Sequence, residues 1–325
     1  MTHQTNPTHL TDLAALRRSG ALASDTEALD LLCALSPPHR GRRAMAEAEL
    51  AEGGYRLQWC RVALDRTGRP LAAHAWWARP GTDTPHLVDL FGATDLDAAV
   101  ELLVGARADL DLDVAECWLS VPGDGDTAVE QANPVEVPVL RVTGFRRIVD
   151  RVRLEWLPRD GVPEPEPPGR LEFRPAGSFS RPELLEIFAA VGDGSLDHHM
   201  RAGRTRDGVA AEAGHRLEHT AAMSGPPHWF AIGVDASGTP VGYVRAAHVT
   251  GGHPVLAEIG VVRAMRGRRF VDDLLAHGTR LLAEAGAARI TSDTDLANTP
   301  MRAAFGRAGY REFARRYDFR WQRTG

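Results

Sequence analysis

The chain has 325 residues, 43% hydrophobic and 25% charged, with 38 basic against 43 acidic side chains and a formal net charge of −5. That balance leaves no cationic surplus to grip nucleic acid, and no apolar run approaches the roughly 20 residues that span a bilayer. The three cysteines, Cys33, Cys60 and Cys117, form no CxxC pair, so neither a disulfide framework nor a cysteine metal site is expected. The N-terminus lacks a charged-then-apolar leader pattern, which points to a cytoplasmic protein.

In chain order, the first clear element is a hairpin. RLQWCRVALDRTGRPLAAHAWW sets two β-rich runs around Asp65, Gly68 and Pro70. A strand-like segment, HLVDLF, then leads into the amphipathic DLDAAVELLVGARADL, and a short strand, AECWLSV, follows. Gly144-Phe145 and a run ending at Trp156 close this half. Five prolines between Pro158 and Pro168 remove backbone donors and hold the chain extended, as in a semi-rigid linker.

The same order of elements then recurs. LEFRPA reads as a strand, and SRPELLEIFAAVGDG as a helix opened by Ser180, Pro182 and Glu183. HWFAIGVDASGTPVGYVRAAHV repeats the hairpin 170 residues on, with Asp235, Gly238 and Pro240. VLAEIGVV and RRFVDDLLAHGTRLLAEAG repeat the strand and helix, AARITSD the short strand, and Gly309-Tyr310 leads to a run ending at Trp321. The pattern is a tandem duplication of one α/β unit. Each unit combines an antiparallel meander with a strand–helix–strand crossover, so a mixed, mostly antiparallel sheet flanked by helices is expected. The expected domains are 1–157, a linker over 158–170, and 171–325.

The informative segment is EIGVVRAMRGRRFVDDLLAHGTRLLAEAG, residues 258–286. An apolar strand runs into an arginine-rich turn at Gly267 and then a long helix. A turn that opens a helix offers free amides and the positive end of the dipole to an anion. The segment resembles motif A of the GNAT superfamily, a strand, then [QR]-x-x-G-x-[GA], then a helix. Arg266 takes the first position; Arg269 stands where the fourth-position glycine is usual, and Val271 where the sixth is small. DLANTPMRAAFGRAGYREF resembles motif B, with Asn298, Met301, Phe305, Gly309 and Tyr310 on its pattern. The resemblance covers residues 171–325 and reaches the first half only through the duplication.

It implies two tandem GNAT-like domains, of which the second binds acetyl-CoA. The co-substrate would lie against Val261, Val262, Arg266, Gly267, Arg268, Arg269, Phe270, Val271, Asn298 and Phe305, with a backbone N–H near Val261 or Val262 polarising the thioester carbonyl. The matching turn of the first half carries Asp89, Asp95 and Asp97 and no arginine–glycine pair, so that half is read as a non-catalytic copy.

A free alkylamine is mostly protonated at neutral pH, so transfer to it requires a base. Glu258 is the first choice, at the head of the motif A strand. The family's usual acid, a tyrosine at the motif B aromatic position, is Phe305 here; Tyr310 is the nearest hydroxyl. GDGSLDHHMRAG, residues 192–203, reads as a loop between helices, and in the fold that the resemblance implies it covers the acceptor site. Asp197, His198 and His199 are therefore the substrate-binding candidates. Adjacent histidines point apart and make a poor metal site, so no metal is expected. Asp272 and Asp273 read as residues turned away from the ligand, and His277, mid-helix, as a surface residue. The expectation is an N-acetyltransferase of a small amine, a monomer or homodimer, in specialised metabolism or antibiotic self-resistance. The alternative is a GNAT scaffold repurposed to bind without transfer, or to perform another reaction.

Overall fold

A computed structural model describes residues 9–35, 42–79, 81–123, 127–165 and 167–323. In chain order the elements are β1 (His9–Asp12), α1 (Leu13–Arg18), α2 (Asp25–Cys33), α3 (Arg42–Glu52), β2 (Cys60–Leu64), β3 (Pro70–Trp77), β4 (Leu87–Ala93), α4 (Leu96–Asp109), β5 (Val114–Pro122), α5 (Val129–Ala132), α6 (Glu136–Val142) and β6 (Arg146–Trp156). They continue with β7 (Glu172–Pro175), α7 (Arg181–Gly192), α8 (His198–Asp207), α9 (Val209–Ala222), β8 (Phe230–Val234), β9 (Pro240–Val249), β10 (His253–Val261), α10 (Phe270–Glu284), β11 (Ile290–Asp295), α11 (Thr299–Arg307) and β12 (Arg311–Gln322).

The chain packs as two compact units. One holds the described residues within Met1–Val121, Gly125–Ile148 and Arg316–Gly325; the other those within Pro122–Asp124 and Val149–Arg315. In the first unit β1, β2, β3 and β4 pair antiparallel in that order, β4 and β5 pair parallel, and β12 from Arg316 on borders β5. In the second, β7, β8, β9 and β10 pair antiparallel, β10 and β11 parallel, and β11 pairs antiparallel with β6. Both sheets are mixed and mostly antiparallel, with helices on their faces.

Turn chemistry explains why the hairpins were legible. Asp65 Oδ1 accepts the Thr67 and Arg69 amides at 2.8 and 3.0 Å, and Asp235 Oδ1 accepts those of Ser237 and Thr239 at 2.9 and 3.0 Å. Gly68 and Gly238 follow at φ 84° and 82°, the left-handed conformation that glycine adopts without penalty. Helix α7 starts as its sequence dictates, with Ser180 and Glu183 in a reciprocal cap.

Each sheet is buried on both faces. In the second unit Leu274, Leu275 and Leu282 of α10 and Phe305 of α11 pack with Val244 and Leu256 on one face. Ile187, Phe188 and Val191 of α7 and Leu217 of α9 pack with Ile232 and Tyr243 on the other. A Cβ on Gly278 of α10 would lie 2.8 Å from Leu256 Cδ1 and from Val244 Cγ2, so the missing side chain lets this helix lie close to β9 and β10.

The closing strands are exchanged. The first run of the duplication, from Val149 to Trp156, joins the second unit beside β11; the last run, from Arg316, joins the first unit beside β5. Packing therefore divides the chain differently from the sequence repeat. The proline-rich stretch is anchored as well: Trp156 Nε1 donates to Gly161 O at 2.7 Å and Arg311 pairs with Asp160 at 3.0 Å. A fragment beginning at Gly169 lacks β6 and leaves one edge of β11 without its ladder. It is expected to lose cooperative thermal unfolding, whereas a fragment that begins before Val149 keeps it; equal melting transitions in the two, followed by circular dichroism, would contradict this division.

Candidate active site

The site is built where β10 and β11 part. Their parallel ladder pairs Val255 with Thr291, and Ser292 Oγ donates to Leu256 O at 2.8 Å. A bulge between Leu256 and Glu258 then shifts the register of β10 against β9. On the β9 side Val262 N–H donates to Val241 O at 2.9 Å. Bonded and non-bonded pairs alternate in an antiparallel ladder, so Gly260 and Glu258 also bond toward β9. The amides of Val261 and Ile259 therefore face the β11 side, beyond the last paired residue. Of the two amides expected to polarise a carbonyl, Val262's is already used and Val261's is available.

The turn after β10 leads into the uncapped start of α10. Arg269 precedes α10 at φ 60°, ψ 19° and makes no side-chain cap. It thus keeps the left-handed backbone that a glycine would adopt without strain. Asp272 N–H donates to Arg269 O at 2.9 Å, and among the described residues the amides of Phe270 and Val271 have no partner. Gly267 is at φ 79° and its Cβ position is open. Arg268 and Arg269 are exposed.

Arg266 is placed differently from the expectation that it reaches toward a ligand. Its guanidinium donates to three carbonyls, Val191 at 2.6 Å, Gly194 at 2.9 Å and Val261 at 3.1 Å, and so ties the turn to the end of α7. From the other side Arg170 donates to Arg268 O at 2.8 Å and Arg269 O at 3.1 Å, pairs with the buried Asp273, and lies 5.0 Å over the Phe270 ring. Asp272 pairs with Arg307 at 2.6 Å. Both carboxylates of the first helical turn are thus matched by arginines, which limits their repulsion of an anion. The corresponding helix of the first unit, α4, is capped by its own Asp95, which accepts the Ala98 amide at 2.9 Å. That carboxylate fills the place an anion would need.

Glu258 sits at the mouth of the gap. Burial pushes its carboxyl up to about 7, reinforced by Asp197 and opposed by Arg216, Arg151 and a hydrogen bond from Tyr243. A carboxyl in this range suits a base at neutral pH.

Beside it stands an acidic group. Asp197 caps α8 through the Met200 amide at 2.9 Å. Asp295, 2% exposed at the end of β11, accepts the His198 amide at 2.6 Å. Arg151 of β6 lies 3.2 Å from Asp295 and 3.5 Å from Asp197. Burial raises the Asp295 carboxyl, with Asp197 adding and Arg151, the His198 amide and His199 opposing. His198 and His199 begin a helix rather than lie in a loop, with ring centroids 5.5 Å apart and edge-on. Among the described residues no three His, Cys, Asp or Glu side chains are grouped to hold a metal.

Three expectations are corrected by packing. Tyr310 is 3% exposed, its hydroxyl bonds Thr279 Oγ1 at 2.8 Å, and burial raises its pKa; it is a core residue, not a proton donor to the gap. Phe305, 1% exposed, packs edge-on against it at 5.1 Å and lines no open surface. His277 is half-buried and stacked on Phe173 at 3.8 Å, not a surface residue, and burial, with Arg280 and His228 adding, lowers it to about 4. Asn298 caps α11 through the Met301 amide at 3.4 Å, and Val271 packs against the core of α10 and α11. Arg151, Arg170, Arg216, Tyr243 and Asp295 escaped the sequence reading, because only the fold brings them together.

Residues 199–310 match the acetyltransferase (GNAT) family profile. Over this segment the chain is similar to that family. A GCN5-related N-acetyltransferase from Sphaerobacter thermophilus shares the fold at TM-score 0.58 and 15% identity, over 99% of this chain and 98% of that one. A tandem GNAT protein from the clavulanic acid biosynthesis pathway does so at TM-score 0.59 and 15% identity, over 97% and 98%. A GCN5-related N-acetyltransferase from Kribbella flavida matches at TM-score 0.54 and 17%, over 89% and 98%. No curated protein matches the sequence. The chain thus shares the tandem GNAT fold of these structures, and among the described residues no helix is long and apolar enough to cross a membrane.

Replacing Arg269 with glycine removes a left-handed side-chain conformation that costs about 1 kcal/mol. Chemical denaturation is expected to show the Arg269→Gly protein more stable by that order; a loss of stability would show that the Arg269 side chain supports the turn.

Proposed function

We propose that the second unit binds acetyl-CoA at the gap between β10 and β11 and transfers its acetyl group to a small amine, with Glu258 as base. The observation that carries this reading is a carboxyl held near neutrality beside an unpaired strand edge. The residues fit a nucleotide thioester. The unpartnered amides of Phe270 and Val271 and the positive end of α10 suit a pyrophosphate, and Arg268 and Arg269 add charge at its rim. Bound there, acetyl-CoA supplies an activated acetyl group. The Val261 amide is the donor available to a carbonyl oxygen in the gap.

The acceptor's chemistry is read from charge. Asp197 and Asp295 share the Arg151 cation, so the gap's rim favours a positively charged guest. An amine arrives as an ammonium ion, and Glu258 takes its proton, directly or through a water. The Tyr310 hydroxyl is bonded to Thr279 in the core and does not protonate the departing thiolate. A thiol with the ordinary pKa of about 8.5 leaves without a strong acid, so the loss of the motif B tyrosine at Phe305 does not bar transfer. The proposal extends to a cytoplasmic enzyme, a monomer or homodimer, in specialised metabolism or antibiotic self-resistance; one protein of similar fold is a tandem GNAT protein from the clavulanic acid biosynthesis pathway. A second reading, a scaffold that binds without transferring, is favoured by the exposed Arg269 side chain at the glycine position.

Calorimetry with acetyl-CoA separates the two. Micromolar binding, weakened about tenfold in Arg266→Ala by loss of the turn's three carbonyl ties, is expected; no heat at millimolar ligand contradicts the enzyme. Thiol release from acetyl-CoA with putrescine, glucosamine or lysine measures transfer. Glu258→Gln is expected to lower it at least about a hundredfold with acetyl-CoA affinity unchanged, and equal losses in both would reject Glu258 as base. Glu258 works ionised, so the rate rises with pH through about 7. Stability moves the other way. Between the ordinary carboxyl value and 7 the folded chain holds a proton that the unfolded chain has released, so this group's contribution falls as pH rises through that window.

A further inference from the structure

Glu258 rests on an ordered polar layer that the transfer reaction does not itself require. Tyr243 pairs with Gly260 across the β9–β10 ladder, two residues from Glu258 and on the same face of the sheet. Its hydroxyl donates to Glu258 Oε2 at 3.4 Å and accepts a bond from Arg216 Nη1. Arg216, on α9, is fixed in turn. Its Nε donates to Glu212 Oε1 at 2.7 Å and its Nη2 to Phe188 O at 2.5 Å, and its guanidinium carbon lies 4.9 Å over the Phe188 ring. Phe188 stacks on Tyr243 with centroids 4.2 Å apart and planes within 2°. The Arg216 side chain is 9% exposed and that of Glu212 7%.

A buried ion pair is weak evidence for stability, since apolar packing of similar volume commonly serves as well. This one is aimed. Beyond Glu212 and the Phe188 carbonyl, its cation reaches the Tyr243 hydroxyl, and that oxygen reaches the Glu258 carboxylate. We propose that Arg216 is a positioning residue for Glu258: through the Tyr243 hydroxyl it holds the carboxylate at the mouth of the gap and supplies the positive charge that lets it ionise there. The inference rests on the reading of Glu258 as base.

The charges facing Glu258 come from four elements: Arg216 from α9, Tyr243 from β9, Asp197 from the start of α8 and Arg151 from β6. Glu212 stands behind Arg216, and Asp295 with His199 beside Asp197 and Arg151. Burial and Asp197 push the carboxyl up; Arg216 is the strongest of the opposing influences, with Arg151 and the Tyr243 bond behind it. Removing Arg216 or the Tyr243 hydroxyl therefore raises the Glu258 pKa above 7, and the base is lost at neutral pH.

The test is a pH titration, by NMR, of the full-length protein carrying carboxyl-labelled glutamate, with the Glu258 signal identified by its loss in Glu258→Gln. The variants are Tyr243→Phe, which keeps the stacked ring, and Arg216→Met with Glu212→Gln, which removes both charges so that neither is left unpaired. Arg216→Lys tests whether charge without the planar fork suffices. Both disabling variants are expected to titrate higher than the parent. A rise of about one unit in the double variant lowers the ionised fraction at pH 7 about fivefold, and the rate profile with putrescine, glucosamine or lysine shifts to higher pH by the same amount. Arg216→Lys is expected to restore part of the shift. A purely structural layer would lower the melting temperature and leave the Glu258 titration in place; an unchanged or lowered titration in Tyr243→Phe and the double variant overturns the inference, even where Glu258→Gln abolishes transfer. If Glu258→Gln keeps full turnover, the reading of the base fails and this inference with it.

Discussion

The second unit depends on an interruption of hydrogen bonding. β10 and β11 lie side by side as far as Val255 and Thr291, and then the ladder stops while both strands continue. Unpaired backbone amides inside a domain are costly, so a sheet that leaves them at the end of two parallel strands has a place for something to bond there. The bulge at Leu256–Glu258 turns Glu258 toward α9 and keeps Val261's amide on the open side. The turn that follows places the uncapped start of α10 next in the chain. A free strand amide, a buried carboxyl and an uncapped helix start thus follow one another within residues 258–271.

Charge is arranged around that gap with little slack. Arg266 and Arg170 are spent on the carbonyls of the turn, fixing the backbone that presents the amides, while Arg268 and Arg269 remain exposed. The acidic side is similarly tied: Asp295 and Asp197 to helix amides and Arg151, Glu258 to Tyr243. Positive groups gather at the helix end and negative groups around Asp197 and Asp295. In the first unit Asp95 caps α4 and the equivalent turn has no arginine, which separates the two copies by chemistry rather than by fold.

What the sequence disclosed was what local chemistry encodes. The Asp-x-x-Gly turns, the Ser180 cap and the long amphipathic helix after Gly267 all stand where turn and helix rules place them. Glu258 was legible because a lone carboxylate heads an apolar strand. The exchange of β6 and β12 was not, because a strand's sequence names its buried face but not its neighbour. Phe305 in its helix and Tyr310 just after it were hard to read because an aromatic fits a ligand wall or a core equally, and packing decided for the core. Arg151 and Asp295, 144 residues apart, meet because β6 pairs with β11, and Arg216 joins them because α9 packs on the sheet. Arg269 shows the limit of motif reading: the glycine is gone, yet its left-handed backbone remains.

The open strand edge is most directly tested by amide chemical shifts on titration with acetyl-CoA. The amides of Val261, Phe270 and Val271 are expected to move strongly while Val262, bonded to Val241, moves little. Large shifts confined to the exposed arginine side chains, with the Val261 amide unmoved at saturation, would contradict the account.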